Sequence, residues 1–216
     1  MDEDGKLVGR VTVNTVVDYI RTESENEVLN LAGLREEEDI FASVWKSAKN
    51  RWMWLALNLC TAFFASRVIG VFENTIEKVA ALAALMPIVA GIAGNSANQT
   101  TTIIIRSLAL GQITSTNTRR LISKELAIGG LNGLVWGGVA GLFAYFLYKS
   151  VLIGLILTGA MLLNLLLGAL AGMLIPLLMQ RMGRDPAIGS SVMLTAITDS
   201  GGFFIFLGLA TLLLSR

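Results

Sequence analysis

The sequence predicts an all-α membrane protein with five transmembrane helices, and three observations carry that expectation. Of the 216 residues, 54% are hydrophobic and 15% charged, and the mean hydropathy of +0.65 lies outside the range of a water-soluble domain. Five apolar stretches cover residues 52–72, 79–94 with a polar continuation to 113, 126–148, 151–179 and 187–214. All but the first half of the second are long enough to cross a hydrocarbon core of ~30 Å, which needs about 20 residues. Lysines and arginines of the short connections gather on one side of this arrangement.

The first 50 residues are a different material, holding 11 of the 16 acids. Asp2 to Gly5 is turn chemistry, and the alternation of Lys6 to Val13 predicts one strand, which cannot fold alone. Asn14 to Ile20 starts a short helix, and the polar run Thr22 to Leu34 reads as a linker, so residues 1–34 form either the edge of a larger soluble domain or an ordinary tail. From Glu36 the apolar spacing turns helical, with Ile40, Phe41, Val44, Trp45 and Ala48 on one face. Glu36, Glu37, Glu38 and Asp39 complement the dipole at its start, and Lys46, Lys49 and Arg51 its end, which predicts an amphipathic helix over residues 35–51 leading to the bilayer.

The five spans occupy residues 52–216. The second, at about 35 residues or ~52 Å, is too long for a straight perpendicular crossing, and a tilt or a break near Pro87, Gly91 or Gly94 is expected. Lys46, Lys49, Arg51, Arg106, Arg119, Arg120, Lys124, Arg181 and Arg184 fall on one side, which predicts a cytoplasmic N-terminus. The glycines at 129, 133, 137 and 141, and at 168 and 172, are read as faces for close helix packing.

Composition removes whole classes of function. With no histidine, imidazole acid/base chemistry and histidine metal ligation are excluded, and the single cysteine, Cys60, forms no disulfide within the chain. A formal charge of +1 implies no nucleic-acid partner. No paired aspartates, HExxH or GxSxG motif supports an intramembrane enzyme.

Five acids follow residue 50. Glu73, Glu77, Glu125 and Asp185 are placed in or beside connections, whereas Asp199 stands twelve residues into the fifth span, ~18 Å from Ala187. An ionised carboxylate at that depth costs about 2.5 to 3.5 kcal/mol on insertion scales, which marks it as functional. No internal cation lies at the same depth, so an external cation is the simplest partner. Asn95, Asn98 and Gln99 of the second span, Asn164 of the fourth, and Ser191, Thr195 and Thr198 of the fifth supply neutral oxygens for an ion pathway. Asn164 serves equally well as hydrogen-bonding glue between helices. Carboxylate, amide and hydroxyl oxygens suit a hard cation such as Mg²⁺ or Ca²⁺. One carboxylate per chain is a thin site for a divalent ion. A twofold axis beside the fifth span brings two together, which predicts a homodimer with the pore at its interface.

Pro87 to Gln99 (PIVAGIAGNSANQ) with Arg106 downstream resembles the MgtE magnesium channel family's Pro-x-x-x-Gly-x-Gly-Gly-Asn-x-Gly-x-Gln segment. Asp185-Pro186-Ala187 followed by Asp199 matches its second hallmark. Asp39 to Leu55 is similar to the family's plug helix, and residues 2–20 to the last strand and helix of a CBS domain. Ala93 and Ala97 replace two of the family's glycines. The resemblance implies a dimeric five-helix pore in the plasma membrane that conducts Mg²⁺, gated by cytoplasmic domains that are nearly all missing from these residues. It therefore also implies conduction with little control by cytosolic Mg²⁺. Glu36, Glu37, Glu38 and Asp39 match the end of the plug helix where the family places regulatory metal contacts. A cation/H⁺-coupled transporter of Co²⁺ or Ni²⁺, with Asp199 as the titrating group, remains the alternative.

Overall fold

A computed structural model describes residues 11–31, 33–34, 41–114 and 116–214. The chain divides into two compact units, Met1–Trp52 and Met53–Arg216.

In the first unit α1 (Val13–Leu31) is longer than the short helix expected, and it runs through most of the stretch read as a polar linker. Thr12 Oγ1 accepts from Thr15 N–H at 3.3 Å at its start, and Arg21 pairs with Glu25 one turn on. No glycine or proline interrupts residues 13–31, and polarity alone does not end a helix. Most of the predicted strand, and all of Glu36 to Asp39, lie outside the described residues. Of the strand's described residues, Val11 and Thr12 are in no strand and Val13 belongs to α1.

Of the helix expected over residues 35–51, the described part from Val44 belongs to α2 (Val44–Gly70), and Phe41 sits in a turn before it. Ser43, a favoured capping residue, precedes the helix, and its carbonyl accepts from Ser47 N–H. Residues 44–51 of the amphipathic segment and residues 52–70 of the first span thus form one helix of 27 residues. Within α2 only Ala65 is buried, and Met53, Leu55, Leu57, Leu59, Phe63 and Phe64 are exposed, apolar surface of the kind that faces lipid or another helix.

A short α3 (Glu73–Lys78) leads to α4 (Ala81–Ala109), α5 (Thr118–Tyr148), α6 (Val151–Arg181) and α7 (Ser190–Leu214). Among the described residues, α2 and α4 to α7 are the five helices long and apolar enough to cross a membrane. α4 is about 43 Å long at 1.5 Å per residue and ends at Gly111, whose φ of +64° suits glycine. It runs unbroken past Pro87, Gly91 and Gly94, where a break was one of the two outcomes expected. α5 and α6 are joined by Lys149, in a left-handed conformation, and Ser150, whose Oγ accepts from Ile153 N–H and caps α6.

The α5–α6 seam is built from glycine. A methyl group added to Gly129 would meet Leu165 O and Ala169 Cβ, both at 3.1 Å, and one on Gly133 would lie 2.8 Å from Leu162 Cα. Gly137 faces Thr158, and Gly141 faces both Thr158 and Gly154. Glycines spaced four apart share one face of α5, so the two antiparallel backbones approach closely, as the small-residue stripe predicted. Thr158 Oγ1 fixes the register by bonding to Gly137 O and Gly154 O, both at 3.0 Å.

α6 lies at the centre. α4 packs parallel to it and α7 antiparallel, around a core that includes Leu82, Leu157, Phe206 and Leu207. Pro176 inside α6 cannot donate to Gly172 O, and that carbonyl accepts from Thr101 Oγ1 of α4 at 3.0 Å.

Candidate ion-binding site

The site forms where α4, α6 and α7 meet. Gly168 of α6 is the contact point: an added methyl would lie 3.1 Å from Ala93 O, 3.2 Å from Ala97 Cβ and 3.7 Å from Thr198 Cγ2. Of the two alanines in the glycine-rich segment, Ala93 therefore meets α6 through its carbonyl and Ala97 through its methyl, both at Gly168, and Gly172 makes room for Ala97 O. On α4, Gly94 faces Thr198 Oγ1 at a distance of 3.6 Å from where a Cβ would sit. This crossing sets Asn95, next to Gly94, and Asp199, next to Thr198, at one level of the helix bundle.

Asn164 ties the three helices together. Fully buried, its Nδ2 donates to Val89 O of α4 at 3.1 Å and to Thr198 O of α7 at 3.2 Å. Both bonds run to carbonyls, which fixes the amide's orientation and leaves Oδ1 buried with no hydrogen-bond partner among the described residues. Thr198 is also fully buried, and its hydroxyl bonds back to Leu194 O and Thr195 O. In the single chain, then, Asn164 and Thr198 are enclosed between helices and hold the backbone immediately before Asp199.

Asp199 lies nine residues after Ser190, about 14 Å along α7, and is half-buried. No hydrogen bond or ion pair from any described residue reaches its carboxylate, and no group of three or more carboxylates or thiols gathers around it among the described residues. Thr195, one turn earlier, is exposed, and Ser191, a further turn back, is half-buried. Asp199, Thr195 and Ser191 therefore follow one another at four-residue intervals along α7.

The amides of α4 are exposed on the side of the helix opposite its buried alanines. Asn95 and Gln99 line a cleft of about 280 Å³ with Ser96, reached also by Asn132 and Trp136 of α5. Asn98 is exposed as well but does not line that cleft. At the start of α7, Asp185 Oδ1 accepts from Ala187 N–H at 2.8 Å, and Ser190 Oγ donates to Pro186 O, so the Asp-Pro-Ala run shapes the turn into the helix.

One buried carboxylate escapes the sequence reading. α5 begins at Thr118, eight residues before the expected span, which places Glu125 inside the helix rather than beside a connection. It is 5% exposed, and its Oε2 accepts from Thr100 Oγ1 of α4 at 3.1 Å. The signal was present: Glu125 continues the every-fourth-residue stripe of Gly129, Gly133, Gly137 and Gly141 that packs inward.

Comparison with known proteins places this geometry. The MgtE family, described as a divalent cation transporter, matches residues 86–209, more than half of the chain. The magnesium transporter MgtE of Thermus thermophilus is 31% identical over 219 residues, 99% of this chain and 48% of its own length. That of Enterococcus faecalis is 31% identical over 215 residues, with 98% and 46% covered. The Bacillus subtilis protein of the same name is 28% identical over 211 residues, with 98% and 47% covered. The chain thus spans about half the length of the curated relatives it matches. The matched segment runs from just before Pro87 through Asp199 and holds the α4–α6–α7 junction, and the chain belongs to the MgtE family of divalent cation transporters, which are not enzymes.

Proposed function

We propose that this chain forms the pore of a Mg²⁺ channel, with Asp199 binding the ion and a homodimer placing the pathway at its twofold axis in the plasma membrane. The observation that carries the reading is the unpartnered Asp199 carboxylate on a membrane-spanning helix, beside a junction that rigidly holds the preceding residue. Three relatives named as magnesium transporters support the choice of Mg²⁺. A Mg²⁺ ion keeps several waters and takes few protein carboxylates. Two Asp199 side chains across a twofold axis neutralise it and leave room for that hydration.

Asn95, Asn98 and Gln99 on α4, with Ser191 and Thr195 on α7, offer neutral oxygens to the hydrated ion along the way. Asn164 and Thr198 act as positioning residues. The nine cations that share one side, from Lys46 to Arg184, support a cytoplasmic N-terminus. Residues 1–34 correspond to the end of a CBS domain with its linker, 35–51 to the plug segment and 52–216 to the pore domain, with Glu36, Glu37, Glu38 and Asp39 as regulatory metal contacts.

The test is flux in proteoliposomes holding a Mg²⁺-sensitive dye, paired with currents in a voltage-clamped bilayer. A channel gives Mg²⁺ entry that follows the electrochemical gradient without a proton gradient, and loses it on Asp199→Asn. Flux that requires an imposed proton gradient identifies the coupled transporter instead. Cross-linking through cysteines introduced on α7 in a Cys60→Ala background tests the dimer, which is refuted if no cross-linked pair forms.

A further inference from the structure

The α4–α5 connection carries a pocket that the ion pathway does not use. It has a volume of about 410 Å³ and is lined by Ser107 from the last turn of α4, Gln112 and Ile113 from the connection, and Asn117, Arg120, Leu121 and Lys124 along one stripe of α5. Two cations and three neutral polar side chains line it, and no acid does. Neither Arg120 nor Lys124 is ion-paired with a described residue. Glu125, the adjacent acid in sequence, points elsewhere and bonds to Thr100.

The floor of the pocket is held in place. Asn117 Nδ2 donates to Gln112 O at 2.8 Å while its Oδ1 accepts from Thr114 N–H at 2.9 Å. Gln112 N–H in turn bonds to Ser107 O at 2.9 Å, which closes the end of α4 over Gly111. Asn117 thus ties Gln112 and Thr114 to the start of α5, on which Arg120 and Lys124 follow one turn apart.

Place and chemistry together select the ligand. The pocket lies where two membrane-crossing helices end, on the side richest in cations, and it combines unpaired positive charge and neutral donors with the apolar walls of Ile113 and Leu121. We propose that this pocket binds the phosphate headgroup of an anionic glycerophospholipid, with Arg120 and Lys124 on the phosphate and the apolar walls against the start of an acyl chain.

Native mass spectrometry of the purified chain, released from nanodiscs of phosphatidylcholine doped with phosphatidylglycerol, measures this directly. The parent protein retains phosphatidylglycerol over phosphatidylcholine. The double variant Arg120→Gln with Lys124→Gln loses that preference by roughly tenfold, as expected when two charge-assisted contacts go. Arg181→Gln with Arg184→Gln, the same charge loss in the α6–α7 connection, retains it, and so does the charge-preserving exchange Arg120→Lys with Lys124→Arg. A matching thermal unfolding midpoint in detergent confirms that the double variant is folded. Equal loss in the two Gln pairs means a general surface-charge effect and overturns the proposal. Undiminished preference in the Arg120/Lys124 pair overturns it too, as does full displacement by soluble glycerol phosphate at millimolar concentration, which would make the pocket a site for free phosphate esters.

Discussion

Two carboxylates lie within the membrane-crossing helices, and the fold treats them in opposite ways. Glu125 on α5 is closed in against α4, where Thr100 gives it a hydrogen bond at 3.1 Å. Asp199 on α7 is half-buried and receives nothing from the described residues, although Asn164 takes hold of the backbone one residue earlier. A carboxyl group with a partner built into the fold serves packing between helices. One held in place but left without a partner is available to a ligand from outside. The difference teaches that burial alone does not mark a functional acid in a membrane; the state of its hydrogen-bonding capacity does.

The same chemical change at both positions separates them most sharply. With Asp199 as the proposed ion ligand, Asp199→Asn is expected to lower Mg²⁺ flux by about 100-fold or more, equivalent to roughly 2.8 kcal/mol of lost ion stabilisation, with membrane insertion intact. Glu125→Gln keeps an oxygen acceptor for Thr100 and should leave flux within about twofold. Collapse of flux in Glu125→Gln, measured in the same proteoliposomes, would place both acids on the pathway and break the distinction.

Smaller effects sharpen it further. Glu125→Leu leaves the Thr100 hydroxyl without its acceptor and should destabilise the protein by about 1 to 2 kcal/mol in thermal or denaturant unfolding, an effect that Thr100→Val should largely relieve in the double variant. Asn164→Leu removes two interhelical bonds of the kind worth ~0.6 kcal/mol each in membranes, so unfolding shifts by about 1 kcal/mol. Its flux should fall further than that shift accounts for, because Asp199 loses its anchor. Gln99→Ala, at an exposed amide of the α4 cleft, is expected to change flux least, by about twofold, as the loss of one neutral contact to a hydrated ion implies.

The five spans and Asp199 were legible because both depend on local composition: an apolar run of 20 residues and a lone acid within it need no tertiary knowledge. Glycines at four-residue spacing gave away the α5 face, since that period survives in the sequence. Glu125 was misplaced because the cations Arg119, Arg120 and Lys124 make the first two turns of α5 look like a connection, although nothing there breaks a helix. Asn164 could be read either as pathway or as glue, and only the positions of Val89 O and Thr198 O show which carbonyls its amide reaches. The contact of Ala93 O and Ala97 Cβ with α6 was likewise invisible, because a helix carries its own periodicity in sequence but not the identity of the helix it meets.

The central claim is that Asp199 is the protein's ligand for the transported cation. Isothermal titration of the purified chain with MgCl₂, run on the parent, Asp199→Asn and Glu125→Gln under identical detergent conditions, tests it most directly. Saturable Mg²⁺ binding in the parent and in Glu125→Gln, with none in Asp199→Asn, is the predicted result. Undiminished binding in Asp199→Asn would contradict it.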